Sequence, residues 1–481
     1  MKELIDRLGG KYVIMGHLTF VALLIYSVLF YKERVLHMDS AYQVFQNLNF
    51  GMLINDGRYG MFLSQLLPLL LVKLHAPLQL VLCSYSVSFV LIMYAFFLAT
   101  IYLTGNKMAG LLMAFTIFCV NNTFYHCISE TFQLMIFAPF LFAWLNHKAQ
   151  PTLVGKVIYY VVMLFAMFMC VFIHPIALFF VLFILLYNLL CNKFRINNQL
   201  VVCAVMFVAM IVAKNMLVQS GHDASFVPTK DELFYAVTHF FSVYSYKFFV
   251  GRILNLYLAP ILIFLITSVF YFRSKNWLKL VFYVGFIFCF FAMSVIVYYK
   301  GDGGIGMERS FLPLLFFACL PFVCEVVPTF SHKTDAVFTV VALLLLLFSF
   351  AQIKYTKSSY SEKFVTYKKV IELAKAENHQ KYLIKRGDAE GLGIGTWGTG
   401  LESLMYSAMK DKNFVVSFFV ADDDDLLTDE RYSNADYYLS VPWWRFWRIN
   451  ELNPHYFKLP SQPYRRVIVE NGELKAVRLT D

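Results

Sequence analysis

Several side chains with the chemistry of an active site follow the first hydrophobic stretch of the sequence. His37, Asp39 and Tyr42 come a few residues after the point where a first membrane span would end, and Asp56 and Arg58 follow on a glycine-flanked turn. A carboxylate in this position can act as a general base on a substrate whose tail stays in the lipid. Asp39 is also well suited to capping a helix that begins directly after it. Both interpretations stay open at this point.

Three basic side chains are candidates for binding a phosphate. Arg58, Lys300 and Arg309 lie on predicted outer loops, where glycines would let the backbone come close to a ligand. Arginine can form two parallel hydrogen bonds to a phosphate, which suits the headgroup of a lipid-phosphate donor. The alternative is that these side chains extend to the membrane interface, as lysine and arginine commonly do at the ends of spans.

Other polar residues stand out because they interrupt apolar sequence. His126 and Glu130 are four residues apart and could share one helix face, although two such ligands alone do not define a metal site. His174 precedes Pro175 within an apolar run, where it could line a polar cavity or bond to a backbone carbonyl that the proline frees. None of the nine cysteines forms a CxxC pair, and we predict neither a metal site nor a cofactor.

The composition indicates what kind of scaffold must position these residues. Of the 481 residues, 59% are hydrophobic and only 15% are charged, whereas a soluble domain has about 25% charged residues. The apolar residues fall in blocks of about 20, the length that crosses a bilayer. We therefore predict a polytopic α-helical membrane protein embedded in a lipid bilayer. The net charge of +10 then indicates positive flanks on cytoplasmic loops rather than nucleic-acid binding.

The apolar blocks predict about eleven transmembrane helices. The first covers residues 12–31, and the run at 154–190 is long enough for two helices with a turn at Pro175. Lysine and arginine in the short loops place the N-terminus inside, so an odd number of spans places the C-terminus outside. We predict a transmembrane domain at 1–353, with interfacial helices in its first outer loop at 32–77.

The composition changes after residue 353. Residues 354–481 show alternating helix and strand patterns, which predict a soluble α/β domain on the outer side of a bacterial cytoplasmic membrane. A literal GxGxxG sequence runs from Gly393 to Gly398. Its spacing from the preceding strand is loose for a dinucleotide site, and no dinucleotide is expected outside the cell, so we interpret it as a turn-rich loop.

The whole arrangement resembles the GT-C superfamily of membrane glycosyltransferases, which includes the protein O-mannosyltransferases and the lipid A aminoarabinose transferases. The resemblance is carried by the sequence HMD at 37–39 in the first outer loop and by the segment GRYGMFLSQLLPLLL behind it. Many members have an acidic pair where this chain has Asp39 followed by Ser40. The resemblance implies a GT-C-like fold in which Asp39 is the general base or positions the acceptor. Basic outer-loop residues hold the donor phosphate in that family, which fits Arg58 and Arg309 by position.

The resemblance implies an inverting sugar transfer without a metal or other cofactor. The donor would be a polyprenyl-phosphate-linked sugar, and the acceptor a lipid-linked glycan, a lipid or a protein. Asp39 would be the catalytic residue, and Arg58, Arg309 and Lys300 would bind the phosphate. Further candidates for the same cavity are His37, Tyr42, Asp56, His126, Glu130 and His174.

Two other functions stay open. An O-antigen polymerase or ligase is also polytopic with large outer loops, and it relies on arginines in those loops. A transporter or flippase of lipid-linked sugars would show repeated halves and broken helices at the middle of the membrane. No internal repeat is evident in this sequence.

Overall fold

The computed structural model describes residues 2–148, 150–218, 227–301, 303–394, 397–421, 433–441, 445–470 and 472–477. This part of the chain is mostly helical, and eight of its helical stretches are long and apolar enough to cross a membrane. The protein is therefore a polytopic helical integral membrane protein, which confirms the prediction from composition. Gly395, one of the glycines of the GxGxxG sequence, lies outside the described residues.

The eight candidate spans account for most of the apolar blocks. They are Gly10–Leu29, Leu78–Thr104, Leu153–Val171, Asn198–Leu217, Ile253–Arg273, Trp277–Val297, Gly303–Thr329 and His332–Glu377. The remaining predicted spans correspond to three shorter apolar helices, Lys107–Cys119, Glu130–Leu145 and Ala177–Cys191. A helix of 16 residues is about 24 Å long, which is less than a hydrocarbon core of about 30 Å. The total of eleven crossings therefore stays a prediction.

The α-helices of the described chain are numbered α1 to α19 in chain order. Before residue 200 they begin with α1 Lys2–Leu29, α2 Tyr31–Val35, α3 Met38–Asn49, α4 Phe62–Lys73, α5 Leu78–Thr104, α6 Lys107–Ala114, α7 Glu130–Leu145, α8 Leu153–Val171, α9 Ala177–Cys191 and α10 Asn198–Leu217. They continue with α11 Lys230–Thr238, α12 Tyr244–Gly251, α13 Leu258–Arg273, α14 Trp277–Val297, α15 Gly303–Pro321, α16 His332–Ser361, α17 Lys363–Glu377, α18 Arg386–Glu390 and α19 Thr399–Lys410.

A proline divides the long apolar run at 154–190 into two helices. Helix α8 ends at Val171 and α9 begins at Ala177, with His174 and Pro175 between them. Proline lacks a backbone N–H and disfavours the helical conformation of the residue before it, so the helix ends ahead of Pro175. The break places His174 at one end of the helix bundle instead of inside a continuous span.

A buried arginine fixes the entry to the first loop. Arg34 of α2 donates from Nε to the carbonyl of Phe124 (2.8 Å) and from Nη1 to Ser86 Oγ (2.8 Å). These bonds tie α2 to α5 and to the segment that precedes α7, so the start of α3 is held against both. Arg34 is fully buried, and its guanidinium also lies 4.2 Å from the centre of the Phe124 ring.

The strands all lie in the C-terminal part of the described chain. They are β1 Lys381–Lys385, β2 Ser417–Ala421, β3 Tyr437–Val441, β4 Arg445–Arg448, β5 Arg465–Glu470 and β6 Glu473–Val477. Four of them form a sheet in the order β2-β1-β5-β6, in which β1 is parallel to both neighbours and β6 is antiparallel to β5. Strands β3 and β4 form a separate antiparallel pair.

The C-terminal part packs directly on the first loop. Helix α19 contacts α3, and Asn453 donates from its backbone to Asn49 Oδ1 (2.7 Å) at the far end of α3. The boundary predicted at 353/354 falls within α16, and α16 is separated from α17 only by Glu362 in a helical conformation. The apolar composition therefore ends before the helix does.

Candidate active site

One cavity of about 960 Å³ brings together most of the polar residues that the sequence singles out. It lies at one end of the helix bundle, between α3, the loop before α4, the break between α8 and α9, and the facing ends of α14 and α15. The predicted residues that line it are Asp39, Tyr42, Asp56, Arg58, Glu130, His174 and Arg309. Residues separated by up to 270 positions in sequence thus face one space.

Asp39 lies in the first turn of α3 with its side chain 46% exposed. Helix α3 begins at Met38 and its N-cap is His37, so the interpretation of Asp39 as a helix cap is wrong. His126 Nε2 hydrogen-bonds Asp39 Oδ2 at 3.0 Å. The carboxylate is therefore oriented by a histidine while part of it still faces the cavity.

The surroundings of Asp39 keep it ionised. Burial alone would raise the pKa of its carboxyl, but the hydrogen bond and charge of His126 and the charge of Arg309 lower the pKa to about 2. A carboxylate with so low a pKa is a weak base. It can accept a proton efficiently only when a reaction makes that proton more acidic.

His126 is held by contacts from two directions. Glu308 of α15 accepts hydrogen bonds from the backbone N–H groups of Asn121 (2.6 Å) and Thr123 (2.9 Å), which fixes the short turn before His126. The next residue, Cys127, donates its N–H to Ser40 Oγ (3.0 Å) and so joins this turn to α3. The pairing of His126 with Asp39 follows from these backbone contacts.

The structure separates His126 from Glu130. Helix α7 begins at Glu130, whereas His126 lies in the loop before it, so the two do not share a helix face as the spacing predicts. The reason is that Ser129 caps α7 and accepts from the N–H of Phe132 (3.4 Å), which ends the loop just before Glu130. His126 pairs with Asp39 and Glu130 pairs with arginine.

Glu130 lies between two arginines of the cavity wall. Arg58 Nη1 lies 2.5 Å from Glu130 Oε1, and Arg309 Nη1 lies 3.8 Å from Glu130 Oε2. Both guanidinium groups face the carboxylate of Glu130, and Asp39 and Asp56 add two further carboxylates to the lining of the cavity. Glu130 Oε2 is buried and has no hydrogen-bond partner among the described residues. Because Arg309 lies 3.8 Å from Glu130, its guanidinium can still donate hydrogen bonds to an anionic group that enters the cavity.

A glycine explains how Arg58 reaches this position. Gly60 donates its N–H to the carbonyl of Phe172 (3.0 Å) at the end of α8. A Cβ at Gly60 would lie 2.9 Å from the Cβ of Ile173, so a larger residue would push the loop away from the helix break. The close approach brings Arg58 to the break that carries His174.

His174 lines the cavity as one of its two interpretations predicts. Its Nδ1 accepts from the N–H of Ile176 at 3.1 Å, so its backbone partner is an N–H and not a freed carbonyl. Burial, followed by the charge of Arg58, lowers the pKa of His174 to about 3. His174 is therefore neutral at physiological pH and adds no charge to the cavity.

Lys300, His37 and His126 do not line the cavity in the part of the chain that the structure describes, although His126 hydrogen-bonds Asp39, which does. Lys300 is 69% exposed and its Nζ lies 2.6 Å from Glu232 Oε1 on the surface. The ring of His37 packs edge-on against Tyr360 with 4.9 Å between ring centres. Burial and the charges of Lys363 and His126 hold the pKa of His37 well below its usual range. The geometry gives Lys300 no contact with the other phosphate-binding candidates.

Sequence reasoning missed two features of the cavity. Trp397, from the C-terminal part, forms a wall beside Tyr42, with 6.4 Å between the ring centres. Apolar side chains of α9 and α14 form another part of the lining, namely Leu178, Phe179, Met293 and Val297. The position of Trp397 depends on packing between distant segments, and no local pattern marks it.

Comparisons with known proteins identify no relative. No protein-family model matches the chain, and no curated protein or solved structure has significant similarity to it. Among the described residues, no group of three or more His, Cys, Asp or Glu is arranged to hold a metal ion. The function must therefore be inferred from the chemistry of the cavity.

Proposed function

We propose that this protein transfers a sugar from a polyprenyl-phosphate donor to a hydroxyl group of a lipid-linked glycan, a lipid or a protein. The observation that carries the proposal is the shared cavity, in which the ionised Asp39 and the arginines Arg58 and Arg309 face one space. A base for the acceptor and cations for a phosphate are the groups that such a reaction needs. The resemblance of the first loop to that of GT-C glycosyltransferases points to the same reaction class.

In the proposed reaction, the acceptor hydroxyl donates a hydrogen bond to Asp39 and its oxygen attacks the anomeric carbon of the sugar. The new carbon–oxygen bond forms as the bond to the phosphate oxygen breaks, and the configuration inverts. The electron pair leaves with the phosphate, and the hydroxyl proton passes to Asp39. Since the acceptor oxygen becomes acidic only as it bonds to carbon, even a carboxylate of low pKa can receive this proton.

The arginines would stabilise the leaving phosphate. Arg309 is the better placed of the two, because its contact with Glu130 is long (3.8 Å) and its charge also acts on Asp39. Arg58 is already paired closely with Glu130 at 2.5 Å, so it would act mainly by adding positive charge. A donor phosphate near Arg309 would bring the anomeric carbon close to Asp39.

The apolar wall would accommodate the lipid part of the donor. Leu178 and Phe179 lie near the start of α9, and Met293 and Val297 lie near the end of α14. Helix α14 is a candidate span and α9 packs against it, so an isoprenoid chain could remain in a hydrocarbon environment while its phosphate enters the cavity.

The proposed orientation places the cavity and the C-terminal domain, residues 354–481, on the outer side of a bacterial cytoplasmic membrane. The opposite end of the bundle carries several basic residues in short connections, which favours a cytoplasmic position for that end. These residues include Lys193, Arg195, Arg273 and Lys275. A GT-C-like fold with about eleven spans is part of the same proposal.

The first experiment analyses the structure of the glycan made by cells that carry Asp39→Asn in place of the wild-type protein. We expect a well-folded membrane protein and a glycan that lacks one sugar, because the amide cannot take up the acceptor proton. Asp231→Asn is the matched control, since Asp231 is exposed and does not line the cavity. A normal glycan in cells with folded Asp39→Asn protein would overturn the assignment.

A second function is favoured by the two arginines. Convergence of Arg58 and Arg309 on one carboxylate also suits an O-antigen polymerase or ligase, which acts on diphosphate-linked glycans. The two functions differ in the product that is lost. Loss of a single sugar from each glycan supports the transferase, whereas shortened chains or unattached lipid-linked glycan would support polymerisation or ligation.

A further inference from the structure

The backbone next to Asp39 has an unusual conformation. Met38 has a φ of +41°, in the left-handed region that residues with a side chain rarely adopt. Met38 is also the first residue of α3, so its N–H has no acceptor within the helix. A contact from elsewhere in the chain would satisfy this N–H and help to hold the residue in place.

The contact comes from the C-terminal part. Glu402 of α19 accepts the N–H of Met38 on Oε1 at 2.9 Å. Its other oxygen, Oε2, accepts from Lys363 Nζ (2.6 Å) and from Tyr367 Oη (2.9 Å), both on α17. The side chain of Glu402 is completely buried, and Lys363 also donates to the carbonyl of Leu36. The carboxylate is thus fixed on one side and caps α3 on the other.

A glycine makes this approach possible. A Cβ on Gly398 would lie 2.8 Å from Glu402 Oε1 and 3.0 Å from the Cα of Met38. A larger residue would therefore separate α19 from the start of α3. The preceding residue, Trp397, lines the cavity beside Tyr42. The segment from Trp397 to Glu402 therefore both holds the backbone of Met38 and forms part of the cavity wall.

We infer that Glu402 is a positioning residue for Asp39, and that residues 397–402 of the C-terminal part complete the active site. Glu402 holds Met38 in its left-handed conformation, and this sets the direction in which the following side chain, Asp39, enters the cavity. The catalytic consequence rests on the proposed function, whereas the contact between Glu402 and Met38 does not. The two can therefore be tested separately.

The structural test is hydrogen exchange at the Met38 amide, measured by mass spectrometry on the purified full-length protein in lipid nanodiscs without added ligand. In Glu402→Ala we expect exchange at Met38 at least tenfold faster than in wild type. In Glu402→Gln we expect protection to be largely kept, because the carboxamide oxygen can still accept the N–H. Exchange at Met38 that is equally slow in Glu402→Ala and wild type would overturn the inference.

A matched control separates positioning from docking. Asn453→Ala removes the side-chain bond from Asn453 Nδ2 to the carbonyl of Leu48 near the other end of α3, but it leaves Glu402 and Met38 untouched. We expect Asn453→Ala to keep Met38 protected and sugar transfer intact, and Glu402→Ala to lose transfer at least tenfold per folded molecule, with rescue by Glu402→Gln. Equal losses of transfer in Glu402→Ala and Asn453→Ala would overturn the positioning role.

A second variant guards against failure of Glu402→Ala to fold. Gly398→Ala displaces Met38 while Glu402, Lys363 and Tyr367 are all retained, and Gly391→Ala, which meets no atom within 4 Å, is its control. Faster exchange at Met38 in Gly398→Ala alone supports the inference, and identical exchange in both variants overturns it. If the variants make the same glycan as wild type while Met38 exchange responds as expected, the contact stands and its positioning role in catalysis fails. The proposed sugar transfer itself is overturned separately, by a normal glycan in cells with folded Asp39→Asn protein.

Discussion

Two carboxylate clusters at opposite ends of α9 and α15 differ in how much of their hydrogen-bonding capacity they use. At the end remote from the cavity, Glu325 accepts from Tyr187 Oη (2.8 Å) and Tyr271 Oη (2.7 Å) on one oxygen and from Lys279 Nζ (2.6 Å) on the other. The donors come from α9, α13 and α14. This cluster joins the ends of helices and uses both of its carboxylate oxygens.

The cavity cluster is less complete. Asp39 is bound by His126 on one oxygen and remains 46% exposed, and Glu130 Oε2 has no hydrogen-bond partner among the described residues although it is buried. Arg309 lies 3.8 Å from that oxygen, which is too far for a hydrogen bond. The comparison shows that residue types alone do not separate a structural cluster from a site for a ligand. The unused capacity of the cavity cluster is what favours function there.

The strongest test of this difference is Arg309→Gln. If the cavity cluster binds the donor phosphate, removing this guanidinium should lower the rate of sugar transfer about 100-fold. The thermal unfolding temperature should change little, because the contact with Glu130 is long. Transfer is measured as product glycan per folded molecule. Arg309→Lys keeps the charge but loses the paired donors, so its rate of transfer should lie between those of the wild type and Arg309→Gln. An unchanged rate in Arg309→Gln would place the phosphate elsewhere.

The complementary variant is Glu325→Gln in the closed cluster. It leaves Lys279, which is 15% exposed, without its counter-charge, and should destabilise the protein by about 1–3 kcal/mol. Transfer per folded molecule should stay at the wild-type level. The measurement is thermal unfolding in nanodiscs, with Lys475→Gln in the exposed pair with Glu470 as the control that should not change it. A selective loss of transfer in Glu325→Gln would remove the distinction between the clusters.

A smaller effect should appear in the pH dependence of His126→Gln. In the proposed reaction, transfer requires ionised Asp39, so activity should be present above the pKa of Asp39 and be lost as the pH falls through it. The pKa of about 2 in the wild type keeps Asp39 ionised down to strongly acidic pH. Without His126 this pKa should rise towards the usual value of about 3.9, so the acid limit of transfer should move to higher pH. A pH profile that superimposes on that of the wild type would show that His126 does not act through Asp39.

The smallest effect is expected for Lys300→Gln. Lys300 is exposed, pairs with Glu232 and does not line the cavity, so transfer and stability should both match the wild type. A loss of donor binding in this variant, measured as a raised KM for the donor, would restore Lys300 to the phosphate site. It would also weaken the comparison between the two carboxylate clusters, because the pair of Lys300 with Glu232 would then be functional although both of its groups already have a partner.

The sequence predicts those features of the fold that depend on local patterns. Hydropathy identifies the spans, and Pro175 explains the break between α8 and α9. The helices of the first loop can also be predicted from the sequence, because apolar residues recur there with a helical period. These features follow from interactions between residues that are close in sequence and from the demand that lipid places on the backbone.

The sequence does not predict which polar residues meet. Arg58 and Glu130 are 72 residues apart, and their pairing depends on the approach of Gly60 to the end of α8. The spacing of His126 and Glu130 suggests one helix, but Glu308 from α15 holds the segment before His126 in a tight turn. Lys300 resembles the arginines in type and predicted location, yet it pairs with Glu232. Each of these outcomes is decided by contacts between distant segments.

The contact between Met38 and Glu402 also bears on the order in which this protein is made. Synthesis proceeds from the N-terminus, so α3 emerges and reaches the membrane long before α19 exists. The backbone next to Asp39 is therefore held by Glu402 only after the last quarter of the chain has folded and packed against α3. If the proposed function holds, a nascent or truncated chain would have its spans inserted but the carboxylate of Asp39 not yet aligned, so that synthesis of the segment that carries Glu402 would be the step that activates the site.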